Sequence, residues 1–438
     1  METNKTIPFN SNSNRKIELL APAGNLEKLK FAYLYGADAC YIGGQDYSLR
    51  ANAANFSISE ISEACTYAHN LNKKVYVTVN IVFHNEDTLG LVDYLKELSK
   101  AKVDAIIVSD PFIIDIINEN DIDLKVHIST QASTLNYETV MFWKSLGVER
   151  VVLARELSKK EIKEIIDKTG MEIETFVHGA MCSSYSGRCV LSNYFTNRDA
   201  NRGGCAQICR WEFPLYDSNL NEIESSTKFT ASSKDLMMAT YIKEMIDIGI
   251  VSLKVEGRMR SNYYVATVIN TYRSIIDDYY NNKLTTKKMD YYQKVLERVA
   301  NREATVQFWD KLPTVEEQYY LGRNEASNQD FLAVVTDYDE KTKFVTITER
   351  NYFQTGDVVE IFGPNIETFS FIMPDIYDID GLRFDLMGLT DIDTVNDVYK
   401  ELKKKKADFM LYGEGWDMPS TLAYNKRSSL NNSLSLKN

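Results

Sequence analysis

The chain has 438 residues, a formal net charge of −12, and 44% hydrophobic and 26% charged residues. That length suits two or three domains and that composition a soluble globular protein. No apolar run of about 18 residues stands out as a membrane helix, so no membrane partner is expected. The acidity argues against a surface coated in basic charge for nucleic acid and leaves room only for a local basic groove.

Residues 1–15 are polar, rich in Asn and Ser, and lack the apolar core of a signal peptide. They read as a disordered lead-in to a cytoplasmic chain. From residue 16 short apolar runs alternate with amphipathic ones. Strands are expected at 17–24, 39–43, 74–80, 105–109, 126–130, 150–154, 173–178 and 252–256. Helices are expected at 26–35, with Asn25 as cap, then at 58–71, 89–98, 111–118, 137–146, 159–168, 237–248 and 263–280. Eight strands alternating with helices over 16–282 have the rhythm of an α/β fold, a (β/α)8 TIM-like barrel interrupted by a Cys-containing insertion at about 179–232. A doubly wound sheet would carry a Gly-rich phosphate turn after its first strand, and Pro22-Ala-Gly24 is not one. Residues 283–324 read as a linker, 325–415 as a small C-terminal β-barrel domain of short strands, and 416–438 as a loose tail.

Four of the chain's six cysteines fall in one segment, Cys182, Cys189, Cys205 and Cys209, spaced C-x6-C-x15-C-x3-C. In a reducing compartment, clustered thiols point to metal rather than disulfides. Zinc sites favour tighter pairs, whereas irregular spacing suits a 4Fe-4S cluster; zinc and buried, metal-free thiols stay open as alternatives. Arg188, Arg198, Arg202 and Arg210 lie in the same stretch against the single acid Asp199. They suit either neutralisation of an anionic cluster or an RNA backbone.

Barrel active sites gather at the C-terminal ends of strands. Those positions hold Arg50, Asn80, Gln131, Arg155, His178, Lys254, Glu256 and Arg258. Strand alternation puts Lys254 and Glu256 on one face, as an ion pair or as part of a ligand site. Lys254, Glu256 and His178 are the candidate catalytic groups, with a core role open for His178. Arg50, Asn80, Gln131, Arg155 and Arg258 are candidate substrate contacts, the arginines suited to carboxylate or phosphate. No G-x-S-x-G or H-E-x-x-H motif supports hydrolysis.

Leu20-Ala-Pro-Ala-Gly24, His178-Gly-Ala-Met-Cys182, Ser186-Gly-Arg-Cys189, Ser233-Lys-Asp-Leu236 and Lys254-Val-Glu-Gly-Arg258 resemble peptidase family U32, over nearly the whole chain. The family name implies a collagenase-like protease, but other members resemble oxygen-independent hydroxylases. The chain is most similar to the tRNA-hydroxylating branch. That resemblance implies formation of 5-hydroxyuridine at the tRNA wobble position, prephenate as hydroxyl donor, and a 4Fe-4S cluster on Cys182, Cys189, Cys205 and Cys209. It also implies tRNA as partner and a homo-oligomer or a hetero-oligomer with a paralogue. A peptidase, and an RNA-binding protein with a structural zinc, are the competing expectations.

Overall fold

The computed structural model describes residues 16–49, 55–223, 228–300, 302–319 and 331–364, with residue 366 and residues 368–373, 381–384, 410–414 and 434–436 beyond. Arg50, residues 1–15 and most of 416–438 lie outside the described residues.

Nine strands build the N-terminal part: β1 (Glu18–Pro22), β2 (Ala39–Gly43), β3 (Lys74–Val79), β4 (Ala105–Val108), β5 (Val126–Ile128), β6 (Arg150–Val152), β7 (Glu172–Gly179), β8 (Asp235–Met237) and β9 (Ser252–Val255). Strands β1 to β7 pair in chain order, all parallel. β9 then pairs with β7 (Phe176↔Lys254) and with β1 (Leu19↔Leu253), which closes an eight-stranded barrel. The expected strands all form. Strands buried on both faces read as near-continuous apolar runs, and β4, Ala-Ile-Ile-Val, is buried at every position.

Between them lie α1 (Leu26–Leu34), α2 (Ile58–Asn70), α3 (Leu91–Lys100), α4 (Phe112–Glu119), α5 (Tyr137–Ser145) and α6 (Lys159–Thr169), then α7 (Leu191–Thr196), α8 (Ile242–Asp247) and α9 (Asn262–Tyr280). Side-chain caps fix the starts of α1, α2, α5, α6 and α9. Asn25 Oδ1 accepts from Lys28 N at 2.9 Å, and Ser57 and Ser158 form capping boxes with Glu60 and Glu161. Every one of these helices but α7 turns apolar residues onto the core, to which Leu29, Ile61, Leu95, Ile113, Val140, Ile165 and Ile276 all belong. Among the described residues no helix is long and apolar enough to cross a membrane.

Two stretches differ from the sequence reading. The helix expected at 237–248 begins only at Ile242. Residues 235–237 form β8 instead, antiparallel to the end of β7 (Gly179↔Leu236). β7 runs past the barrel rim, and its unpaired backbone edge takes up a strand. The expected linker at 283–324 holds a helix, α10 (Thr286–Val299), which packs Met289, Leu296 and Val299 inward beside α9. Its few apolar positions lie in a strongly charged run, so their period is weak. The segment continues as β10 (Ala304–Thr305), parallel to β8, with Arg302 buried and 3.1 Å from Asp235.

Past residue 331 the strands are short. β11 (Ala333–Tyr338) pairs antiparallel with β12 (Val345–Glu349), and β13 (Val358–Ile361) with β14 (Phe369–Ile372). β15 (Gly381–Phe384), β16 (Met410–Glu414) and β17 (Leu434–Leu436) form a separate parallel sheet. The C-terminal part is thus built of small sheets; β13 to β17 belong to a second compact unit of the chain, whereas β11 and β12 fall in the same unit as the barrel.

Candidate active site at the barrel mouth

The inside of the barrel is not an apolar plug. At its floor Arg150 Nη1 reaches Glu18 Oε1 at 2.5 Å and Glu174 Oε2 at 3.2 Å, and Nη2 reaches Glu172 at 3.1 Å. Tyr76 and Ser252 hydroxyls donate to Glu18. One layer higher Lys254 Nζ donates to Glu174 Oε1 at 2.9 Å and lies 4.5 Å from the centre of the Tyr41 ring. Glu174 is fully buried, which by itself would raise its pKa, yet Lys254 and Arg150 hold its carboxyl down at about 2. Burial pulls Lys254 below the usual lysine range, with Glu174 opposing. The carboxylate paired with Lys254 in this way comes from β7.

Above this layer opens a cavity of about 90 Å³ at the C-terminal ends of the strands. Asn80, Gln131, Arg155, Lys254, Glu256 and Arg258 all line it, as do Tyr41, Thr78, Ser129 and Phe176. Six of the eight strand-end residues singled out from sequence therefore meet at one place. Arg258 is buried and donates from Nη1 to Ser48 Oγ at 2.8 Å and Thr78 Oγ1 at 3.0 Å. It crosses the end of β2 closely enough that a Cβ at Gly43 would collide with its guanidinium, and one at Gly24 with its carbonyl. That accounts for glycine in Ala37-Asp-Ala-Cys-Tyr-Ile-Gly43 and in the first strand's turn.

Arg155 lays its guanidinium 3.8 Å from the Phe176 ring centre and donates to the Ala180 carbonyl at 2.6 Å. Its Nε is buried without a hydrogen-bond partner, and so is Asn80 Oδ1, whose amide nitrogen donates to Ser129 Oγ at 3.2 Å. A buried donor and a buried acceptor left unmatched on one cavity wall are what a polar ligand satisfies.

His178 is not in the cavity. Plain alternation from Phe176 would turn it inward beside Glu256. A β-bulge between Phe176 and His178 shifts the register so that His178 pairs with Val255 on the outer face. There it packs against Tyr264 and Tyr272 of α9, its Nδ1 3.3 Å from the Tyr272 hydroxyl. Burial, aided by Arg260, brings its pKa down to about 3, so it is a neutral core histidine. The catalytic role expected for it is withdrawn. His127, beneath the cavity and packed on Tyr76, is likewise held near 3 by burial and Arg150.

The insertion leaves β7 along the cavity rim. Glu156 accepts from Ser186 N and Oγ, each at 2.6 Å, and Arg188 Nε donates to the Gln131 carbonyl at 2.6 Å. Farther on, Cys189 and Asn201 exchange two hydrogen bonds, and Arg202 is held by Asp87 and Glu86 from the loop after β3. None of the four cysteines of the insertion is in a disulfide, and all are at least partly open to solvent; thiols are the donors that soft metals and iron–sulfur clusters take. In this arrangement the four thiols are not gathered. Among the described residues no three His, Cys, Asp or Glu side chains are placed to hold a metal ion.

Sequence reasoning missed Glu18, Arg150, Glu174, Tyr41 and Phe176. The available signal was parity: Glu174 and Phe176 share a strand face, and a charged residue inside an apolar strand demands a partner across the barrel.

A barrel closed by parallel strands, with a cationic and hydrogen-bonding cavity at its C-terminal mouth, defines an enzyme-like (β/α)8 protein with a cysteine-bearing insertion. The peptidase family U32 model matches residues 24–319, and the peptidase family U32 C-terminal domain model matches 327–387. The chain belongs to peptidase family U32. It is 49% identical over 376 residues to tRNA hydroxylation protein P1 of Bacillus subtilis, covering 85% of this chain and 89% of that one. It is 34% identical to tRNA hydroxylation protein P of Escherichia coli, covering 80% and 86%. An uncharacterized protease of Methanocaldococcus jannaschii is 36% identical, covering 79% and 87%. These similarities support the tRNA-hydroxylating branch of the family.

Proposed function

We propose that the protein hydroxylates uridine at the tRNA wobble position to give 5-hydroxyuridine, without molecular oxygen and with prephenate as hydroxyl donor. The observation that carries this reading is the cavity. Among the described lining residues, Arg155, Arg258 and Lys254 face one carboxylate, Glu256, and Glu174 neutralises Lys254 from below. That balance favours a small anionic ligand, and a carboxylate-bearing donor matches the two guanidinium groups. Arg258, fixed by Ser48 and Thr78, orients such a ligand. Arg155 offers its unmatched Nε, and Glu256 stands at the rim as the group that can accept a proton from the base being modified.

Binding of a 4Fe-4S cluster by Cys182, Cys189, Cys205 and Cys209 belongs to the proposal through donor chemistry, and requires the four thiols to draw together. Such a cluster would supply one-electron chemistry; the roles given above to Arg155, Arg258 and Glu256 do not depend on it. The protease reading is weaker, because the described cavity lining holds no histidine to activate Ser129 or Thr130. Mass spectrometry of nucleosides in tRNA from a strain lacking the gene tests the reading. Loss of 5-hydroxyuridine and its derivatives, restored by the chain but not by Arg155→Met, is expected. An unchanged nucleoside profile in a strain without a paralogue overturns it.

A further inference from the structure

The insertion leaves large aromatic side chains in the open. Tyr194 is 84% exposed, and Tyr185, Phe195 and Trp211 are exposed as well. Local packing gathers three of them. α7, which carries Tyr194 and Phe195, packs on the turn Ile208–Arg210 that leads into Trp211. Exposed apolar surface at this density marks an interaction site.

The charges beside it decide the kind of partner. Arg198 is exposed just past the end of α7, and Arg210 hydrogen-bonds to the neutral Gln207. Asp235 acts on Arg210 only through space. Neither arginine has an ion-pair partner among the described residues, whereas Arg202 is taken by Asp87 and Glu86. Flat aromatic faces beside un-neutralised guanidinium groups suit unpaired nucleobases and their phosphates. A duplex hides its base faces, and an acidic peptide would use the arginines and leave the rings idle. The insertion that carries this surface is tied to the cavity rim by the hydrogen bond from Arg188 to Gln131.

We propose that this face of the insertion recognises unpaired nucleotides of a folded RNA by stacking, and holds the looped strand beside the cavity rim. The proposal rests on the RNA-modifying reading above and names the surface that does the recognising. The full-length protein is titrated with a labelled RNA hairpin that has an open loop, and with the blunt duplex of the same stem. The hairpin binds more tightly. Tyr194→Ala and Trp211→Ala each weaken hairpin binding by roughly tenfold, the usual effect of losing one base stack, while Tyr194→Phe keeps it and duplex binding stays level. Hairpin affinity unchanged in both alanine variants, or equal affinity for hairpin and duplex, overturns the assignment of this surface. Failure of the unaltered protein to bind either RNA sinks the RNA-modifying reading itself. Sedimentation of the same variants covers a self-association role: a dimer lost in Tyr194→Ala with RNA affinity intact gives the face to a second copy of the chain and overturns the proposal.

Discussion

At the barrel floor Glu18, Arg150, Glu174 and Lys254 are nearly shut away from solvent, and each charge is held by another. In the insertion, Tyr194 stands open on the short helix α7 and Arg198 just past its end, and the four thiols are at least partly exposed. The two regions lie along one strand, β7, which supplies Glu174 below and leads into Cys182 above. The floor is self-sufficient, so its side chains owe their positions to the fold. The insertion has surplus capacity for stacking, charge and thiol ligation, and that surplus points outward to partners.

The contrast makes graded predictions. The largest effect belongs to the floor. Glu174→Ala strips Arg150 and Lys254 of a shared buried partner and costs about 3–5 kcal/mol of stability, read from urea denaturation; a loss near zero would mean that the network is not closed. Next comes Arg155→Met, at the boundary between the two regions. Loss of a hydrogen bond to a charged group costs about 1.5–3 kcal/mol, so RNA hydroxylation should drop roughly ten- to a hundredfold with the unfolding midpoint little changed.

Acid acts on the floor and the outer core in the same direction. The folded pKa of about 3 for His178 and His127 lies below the ordinary histidine value, and that of about 2 for Glu174 below the ordinary carboxylate value. In all three the unfolded chain binds protons first as pH falls. The stability is therefore present above the unfolded pKa and is lost on acidification, from about pH 6.5 for the histidines and from about 4.5 for Glu174. Each histidine should cost about 2 kcal/mol between pH 7 and pH 5, and His178→Gln should flatten the curve by that amount.

The smallest expected change in stability lies in the insertion. Cys182→Ser should shift stability by no more than about 0.5 kcal/mol, as exposed substitutions do, while lowering the iron content of anaerobically purified protein. Colourless protein carrying stoichiometric zinc would remove the iron–sulfur part of the proposal.

Most of the barrel was legible because its strands are buried on both faces and alternate with amphipathic helices, the first of them opened by the cap Asn25. The cavity wall was legible because polar residues at strand ends have one place to go, and Asn80, Gln131, Arg155 and Arg258 went there. What escaped depends on contacts across the barrel. Arg150 sits next to Glu149 in sequence, and nothing local says that its partners are Glu18 and Glu174. α10 escaped because its inward face is thin.

The extra residue at Val177 works as a frameshift written in three dimensions. Every position after it is read on the opposite face, so the glycine following His178, and not an imidazole, stands opposite Glu256. Deleting Val177 would leave His178 against Val255 by ordinary alternation. The extra residue is not idle, because its carbonyl accepts from Met238 N at 2.9 Å and from the Tyr272 hydroxyl at 2.9 Å, so the same kink that turns the imidazole outward also ties β8 and α9 to the rim.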